Sequence, residues 1–253
     1  MTSQHESSHA RNIAALRAAR ATNISIGADR YKPVKTIIQN DELLAYCDAC
    51  DAVLTRVHSG ELDFETATDA RQAAFEGIEK YGTRIVNTLE ACGAPAGAVE
   101  TARGYVGKLR GERLHKPEPA SSDAPAGDIQ QQISVSQKSY DGRSANFRKL
   151  VELCQHERSF YTPNEDDVSL PAIESRLQQL TTSNQKVQDT AALYSGALVE
   201  RDRLLYHKET GLVARMEAIR AYYVSAYGAD SAERKRLNGL SVRTLRNERL
   251  AEA

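Results

Sequence analysis

Residues 170–206 read LPAIESRLQQLTTSNQKVQDTAALYSGALVERDRLLY. Leu170, Ile173, Leu177, Leu180, Val187, Ala191, Tyr194, Leu198 and Leu205 recur there largely on three- and four-residue steps, and Leu212, Ile219 and Tyr223 carry the stepping onward. Side chains so spaced fall on one helical stripe that must be buried against other helices. An earlier stretch repeats the pattern with Leu43, Cys47, Cys50, Leu54, Val57, Phe64, Phe75, Ile78, Ile85, Leu89 and Cys92. The first seam runs into Ala91-Cys92-Gly93-Ala94 and the second into Ala226-Tyr227-Gly228-Ala229. A short helical segment follows each, ending in Gly111-Glu112-Arg113-Leu114 and in Asn247-Glu248-Arg249-Leu250. One helical unit is used twice. With no β-alternating segment, the pattern predicts an all-α fold of two antiparallel helical bundles built on coiled-coil-like long helices.

Working outward from the seams, residues 1–35 hold Arg11, Arg17, Arg20, Arg30, Lys32 and Lys35 against Glu6 and Asp29, a net of +4 in a chain whose formal charge is -1. This stretch reads as a basic N-terminal arm, frayed ahead of the first bundle, with a helix near 8–21. The Arg-rich, acid-poor start also resembles a transit peptide or a surface-binding helix. The first bundle spans 36–114. Within it His58-Ser59-Gly60-Glu61-Leu62-Asp63 reads as a tight helix–helix turn, because Ser-Gly is costly inside a helix. Residues 115–139 carry three of the seven prolines among small polar residues, with three glutamines following. No apolar stripe passes through them, so they form a flexible Pro/Ser/Ala-rich linker. The second bundle spans 140–253. Its polar seam residues Asn184 and Arg201 are expected at register-setting contacts between helices or protomers.

Several short motifs invite chemistry. His5-Glu6-Ser7-Ser8-His9 matches the zinc-protease helix motif, in which two imidazoles one turn apart hold the metal and the Glu activates its water. A third ligand is not identifiable, so His5 and His9 stay weak metal candidates. Cys47-Asp48-Ala49-Cys50 has metal or redox spacing, but it sits inside a helical pattern and follows no strand, which points to two buried thiols on the core seam. The chain has no Glu-x-x-His pair of the di-iron bundles, and Gly104, Gly107 and Gly111 follow no strand as a phosphate loop requires. Arg234, Lys235, Arg236, Arg243, Arg246 and Arg249 form a basic C-terminal helix whose simplest role is a solvated face. Arg234 and Arg236 are its candidate interaction residues. The near-balanced total of 33 basic and 34 acidic residues disfavours nucleic acid as a partner. No apolar run is long enough to span a bilayer, and four cysteines are too few for a disulfide scaffold, so a cytoplasmic location is expected.

Ile133-Ser134-Val135-Ser136-Gln137, Asn146-Phe147-Arg148-Lys149-Leu150, Tyr161-Thr162-Pro163-Asn164-Glu165, Gly211-Leu212-Val213 and Tyr223-Val224-Ser225-Ala226-Tyr227-Gly228-Ala229 resemble a family of uncharacterised bacterial helical-bundle proteins with an internal duplication. Gly93-Ala94 and Lys108-Leu109-Arg110-Gly111-Glu112-Arg113 fit the same pattern in the first half. The resemblance covers about 37–250 and rests on turn and core residues. It implies a fold and no activity. The expected function is therefore a non-enzymatic structural or interaction protein that pairs with itself or another helical protein and needs no cofactor. The alternatives are a bundle holding a metal or small ligand, and weak nucleic-acid association through the basic ends.

Overall fold

The computed structural model describes residues 4–111 and 139–243, with side chains from residue 8. These residues are helical with no strand among them. In chain order the helices are α1 (Gln4–Ile26), α2 (Asn40–Phe75), α3 (Ile78–Ala91), α4 (Ala96–Arg110), α5 (Tyr140–His156), α6 (Leu170–Tyr206), α7 (Leu212–Tyr227) and α8 (Ala232–Arg236). Single 3-10 turns at Thr36–Ile38 and Asp166–Val168 lead into α2 and α6. None of these helices is long and apolar enough to cross a membrane. The linker read at 115–139 and the arginines beyond Arg243 lie outside the described residues, apart from Ser139.

Two compact units form, and they do not coincide with the sequence halves. Unit 1 takes Met1–Phe64 together with Thr190–Ala253, and unit 2 takes Glu65–Asp189. The division passes through α2 and α6, so each long helix serves both units. A cut at 115–139 therefore misses the boundary. The reason is physical: an apolar stripe requires a buried face without naming the helix that buries it.

Unit 2 packs α3, α4 and α5 against the adjoining parts of the long helices. Its core holds Phe75, Ile78, Ile85, Leu89, Val106, Leu109, Phe147, Leu150, Ile173 and Leu180, all buried. Gly82 lets α4 approach α3, since a Cβ there would meet Val106 Cγ2 at 3.3 Å and Leu109 Cδ2 at 3.4 Å. The turn after α3 ends as the sequence predicts. Gly93 has φ +81° and donates its N–H to Glu90 O at 3.0 Å, while Ala94 N–H reaches Leu89 O at 3.3 Å. That pair of bonds is a Schellman stop, which glycine adopts without a Cβ penalty.

Unit 1 corrects two expectations. The N-terminal stretch is no frayed arm, because Ile13, Leu16 and Ala19 of α1 are buried in the same core as Leu43, Cys47, Cys50, Leu205, Leu212, Ile219 and Tyr223. Nor is there a turn at 58–63, since α2 runs unbroken through it. Its Gly60 faces Tyr194 of α6, and a Cβ there would lie 3.4 Å from Tyr194 Cα. Phe64 stacks on the same tyrosine, with ring centroids 6.4 Å apart. The second seam is broken once, between α6 and α7. Replacing Gly60 with Ala should raise stability by about 0.5–1 kcal/mol, because Ala fits at ordinary contact distance and favours helix. A fall in melting temperature would instead show that the Tyr194 backbone lies too close to admit a Cβ.

Candidate functional site

The most specific arrangement is a clasp that occurs in both units. In unit 1, Tyr31 Oη donates to the Ile38 carbonyl at 2.7 Å. In unit 2, Tyr161 Oη donates to the Val168 carbonyl at 2.7 Å, seven residues on in each case. Each tyrosine is followed two positions later by proline, Pro33 or Pro163, which stiffens the loop before the 3-10 turn. A second donor comes from a helix of the other sequence half. Arg215 of α7 gives Nη1 to Ile37 O at 2.5 Å, and Tyr81 of α3 gives its hydroxyl to Asp167 O at 2.5 Å. Arg84 reinforces the latter with a bidentate pair to Asp167, Nη2 to Oδ1 at 2.9 Å. One backbone task is thus done by an arginine in one unit and a tyrosine in the other.

Unit 1 surrounds its clasp with polar contacts between its two chain segments. Asn12 Nδ2 donates to Arg243 O at 2.9 Å, and Arg243 N–H returns to Asn12 Oδ1 at 3.0 Å. His9 Nδ1 meets Tyr206 Oη at 2.7 Å. Tyr223 Oη donates to Asn23 Oδ1 at 2.8 Å, Tyr46 Oη to Leu204 O at 2.7 Å, and Tyr227 Oη to Arg30 O at 2.7 Å. Arg30 also pairs with Glu233, and Arg56 with Glu200, each at 2.7 Å. His9, Asn12, Asn23 and Arg215 are buried polar residues, so these bonds offset a desolvation cost that truncation of either partner would expose.

A cleft of about 580 Å³ opens on the same unit, lined by Tyr46, Arg56, Glu200, Arg203, His207 and Arg215 among others. The Arg215 guanidinium lies 4.0 Å over the Tyr46 ring. Burial lowers the Arg215 pKa from its ordinary value, although guanidinium remains charged at any physiological pH. Its Nε is held by Thr210 O at 3.0 Å. Three arginines against one carboxylate give the cleft a cationic wall.

The structure separates the residues singled out from the sequence. Cys47 and Cys50 are buried free thiols in the core of unit 1. Burial raises both pKa values, that of Cys50 to about 12, so both stay as thiols at neutral pH. His9 belongs to the polar contacts above, and the side chain of His5 lies outside the described residues. Among the described residues no group of three potential ligands gathers. Asn184 sits in unit 2, where Nδ2 donates to Asp141 Oδ1 at 3.1 Å and the buried Oδ1 has no hydrogen-bond partner. Arg201 bonds the adjacent Asp202 through Nε at 2.9 Å and Nη2 at 2.8 Å, along its own helix. Arg234 of α8 donates to Asn238 just past the helix, and Arg236 is exposed. Tyr31, Tyr46, Asn12 and Arg215 carry the architecture and were not among the residues picked from the sequence. The recurring Tyr-x-Pro before each long helix was the available signal for the clasp. No family model, curated protein or solved structure matches the chain.

Proposed function

We propose that this is a non-enzymatic structural protein that acts by helix–helix association, with itself or with another helical protein. The observation that carries the reading is the construction of unit 1. Two segments distant in sequence, 1–64 and 190–253, meet through buried helix faces and the polar contacts that tie them. Buried cysteines and hydrogen-bonded imidazole, amide and guanidinium groups are spent on that pairing. In this reading residues 115–139 serve as the connector between α4 and α5. The clasp repeated in both units supports kinship with internally duplicated helical proteins. Light scattering over a wide concentration range should show reversible self-association of the full chain, or co-purification with a defined helical partner. A strict monomer with no partner would count against it.

A further inference from the structure

We propose that the cleft of unit 1 binds a small organic phosphate ester, with its phosphate group held by Arg203 and Arg215. This role is separate from helix–helix association and does not depend on it. The cleft lies between the two arms of the unit, residues 1–64 and 190–253. One wall comes from α2, and the other from the end of α6 and the start of α7.

Arg215 is the observation that asks for an anion. It is a permanent cation only 8% exposed. Its Nε and Nη1 are spent on two neutral acceptors, the Thr210 and Ile37 carbonyls. Among the described residues no carboxylate pairs with it, and Nη2 has no hydrogen-bond partner while keeping access to the cleft. Burial lowers its pKa, as it does for a cation that lacks a paired anion. Arg143 and Arg201, which are also well shielded, each hold a carboxylate, Glu79 and Asp202. A buried charge without a counter-ion is costly, and the cleft is where one can reach it.

The charge and shape of the cleft select the ligand class. Arg56 is already paired with Glu200 at 2.7 Å. Arg203 is exposed and, among the described residues, has no ion-pair or hydrogen-bond partner. The lining therefore carries a net charge of +2, three arginines less one glutamate. A phosphate monoester, with a charge of about −1.5 to −2 at neutral pH, matches it, whereas a single carboxylate answers half of it. Guanidinium forks also fit phosphate oxygens two at a time. His207 adds a neutral donor. The N–H groups of Glu209 and Thr210 both donate to its Nδ1 at 3.3 Å, so the ring proton sits on Nε2. At about 580 Å³ the cleft has the size of a small-molecule site, with far more room than a bare phosphate fills. Ala49, Ala52 and Leu204 offer the rest of an ester an apolar surface.

Titration calorimetry on the full chain, at ionic strength fixed with sodium chloride, tests the site with phenyl phosphate, benzoate and inorganic phosphate. Phenyl phosphate should bind saturably at one per chain and raise the melting temperature, because only folded unit 1 offers both walls. Benzoate keeps the ring with a single charge, and inorganic phosphate keeps the charge without the ring. Each should bind at least about tenfold more weakly. Arg203→Gln changes an exposed position and leaves the bonds of Arg215 in place. It should weaken phenyl phosphate by about tenfold or more. Glu200→Gln should tighten it, since the carboxylate leaves the lining, an effect that a merely structural Glu200 would not produce. Arg103→Gln, at a paired surface arginine of α4, is the control and should leave the affinity unchanged. Unchanged helical circular dichroism in each variant separates lost binding from lost fold. No saturable binding of phenyl phosphate at millimolar concentration, or equal affinity in Arg203→Gln and the native chain, would overturn the site. Benzoate binding as tightly as phenyl phosphate would overturn the dianion, and inorganic phosphate doing so would overturn the ester.

Discussion

Raising the pH from 9 to 12 should unfold this protein in one steep transition, with stability nearly level below that window. Tyr31, Tyr46, Tyr161 and Tyr223 are buried phenols, and Cys47, Cys50 and Cys154 are buried thiols. Burial raises the pKa of each, Cys50 and Cys154 to about 12, from ordinary values of 10.0 for phenols and 9.0 for thiols. These acids ionise at lower pH in the unfolded chain than in the folded one. Their contribution is therefore complete below the unfolded values and is lost as the pH climbs toward the folded ones. Each group removes up to about 1.4 kcal/mol per pH unit across that window. Seven acting together exceed a typical total stability of about 5–15 kcal/mol within one or two pH units. Phenolate absorbance and loss of helical circular dichroism should rise together. Gradual phenolate formation with the helices intact would show that these side chains are open to solvent.

The second large effect is expected at Gly211, between α6 and α7. A Cβ there would lie 2.5 Å from His207 O, 2.6 Å from His207 N and 2.8 Å from Leu205 O. All three are backbone atoms, so no rotamer change relieves the overlap and the loop itself must shift. That loop presents Thr210 O to Arg215 Nε and is tied by Gly211 N–H to His207 O at 2.9 Å. Arg215 in turn holds Ile37 O of the opposite arm. Gly211→Ala should therefore cost about 3 kcal/mol, combining overpacking with a strained buried arginine. Gly104, with open space around it on α4, is the control. Gly104→Ala should gain stability by up to about 1 kcal/mol from helix propensity. Equal urea midpoints for the two variants would remove the loop from any role in holding unit 1.

The helices themselves were legible because burial follows spacing. Leu43, Cys47, Cys50, Val57, Phe75, Ile78, Ile85 and Leu89 of the first seam are buried, as are Ile173, Leu180, Val187, Leu205, Leu212, Ile219 and Tyr223 of the second. Gly93 and Gly228 take positive φ at the two expected stops. The hairpin read at 58–63 fails because Gly60 lies against Tyr194, a neighbour 134 residues on that local propensity cannot register. The arm read at 1–35 fails for a related reason. Its apolar residues are mostly alanine, with Ile13 and Leu16 mid-helix and Ile24 and Ile26 at its end, too sparse to announce a core face, yet Ile13, Leu16 and Ala19 fit one that other helices complete.

The candidate site divides along the same line. Buried cysteines follow from their place on the apolar stripe, and the sequence alone identified them as core residues. The arginine clasp does not, because Arg215 and Ile37 are 178 residues apart and their bond depends on which helix faces which turn. By itself the sequence determined an all-helical chain and the faces its helices bury, since each is a periodicity read locally. Only the tertiary structure decided that each unit would draw on both halves. Two similar stripes are interchangeable as hydrophobic surfaces, and the choice between them falls to shape and to polar bonds between residues far apart in the chain.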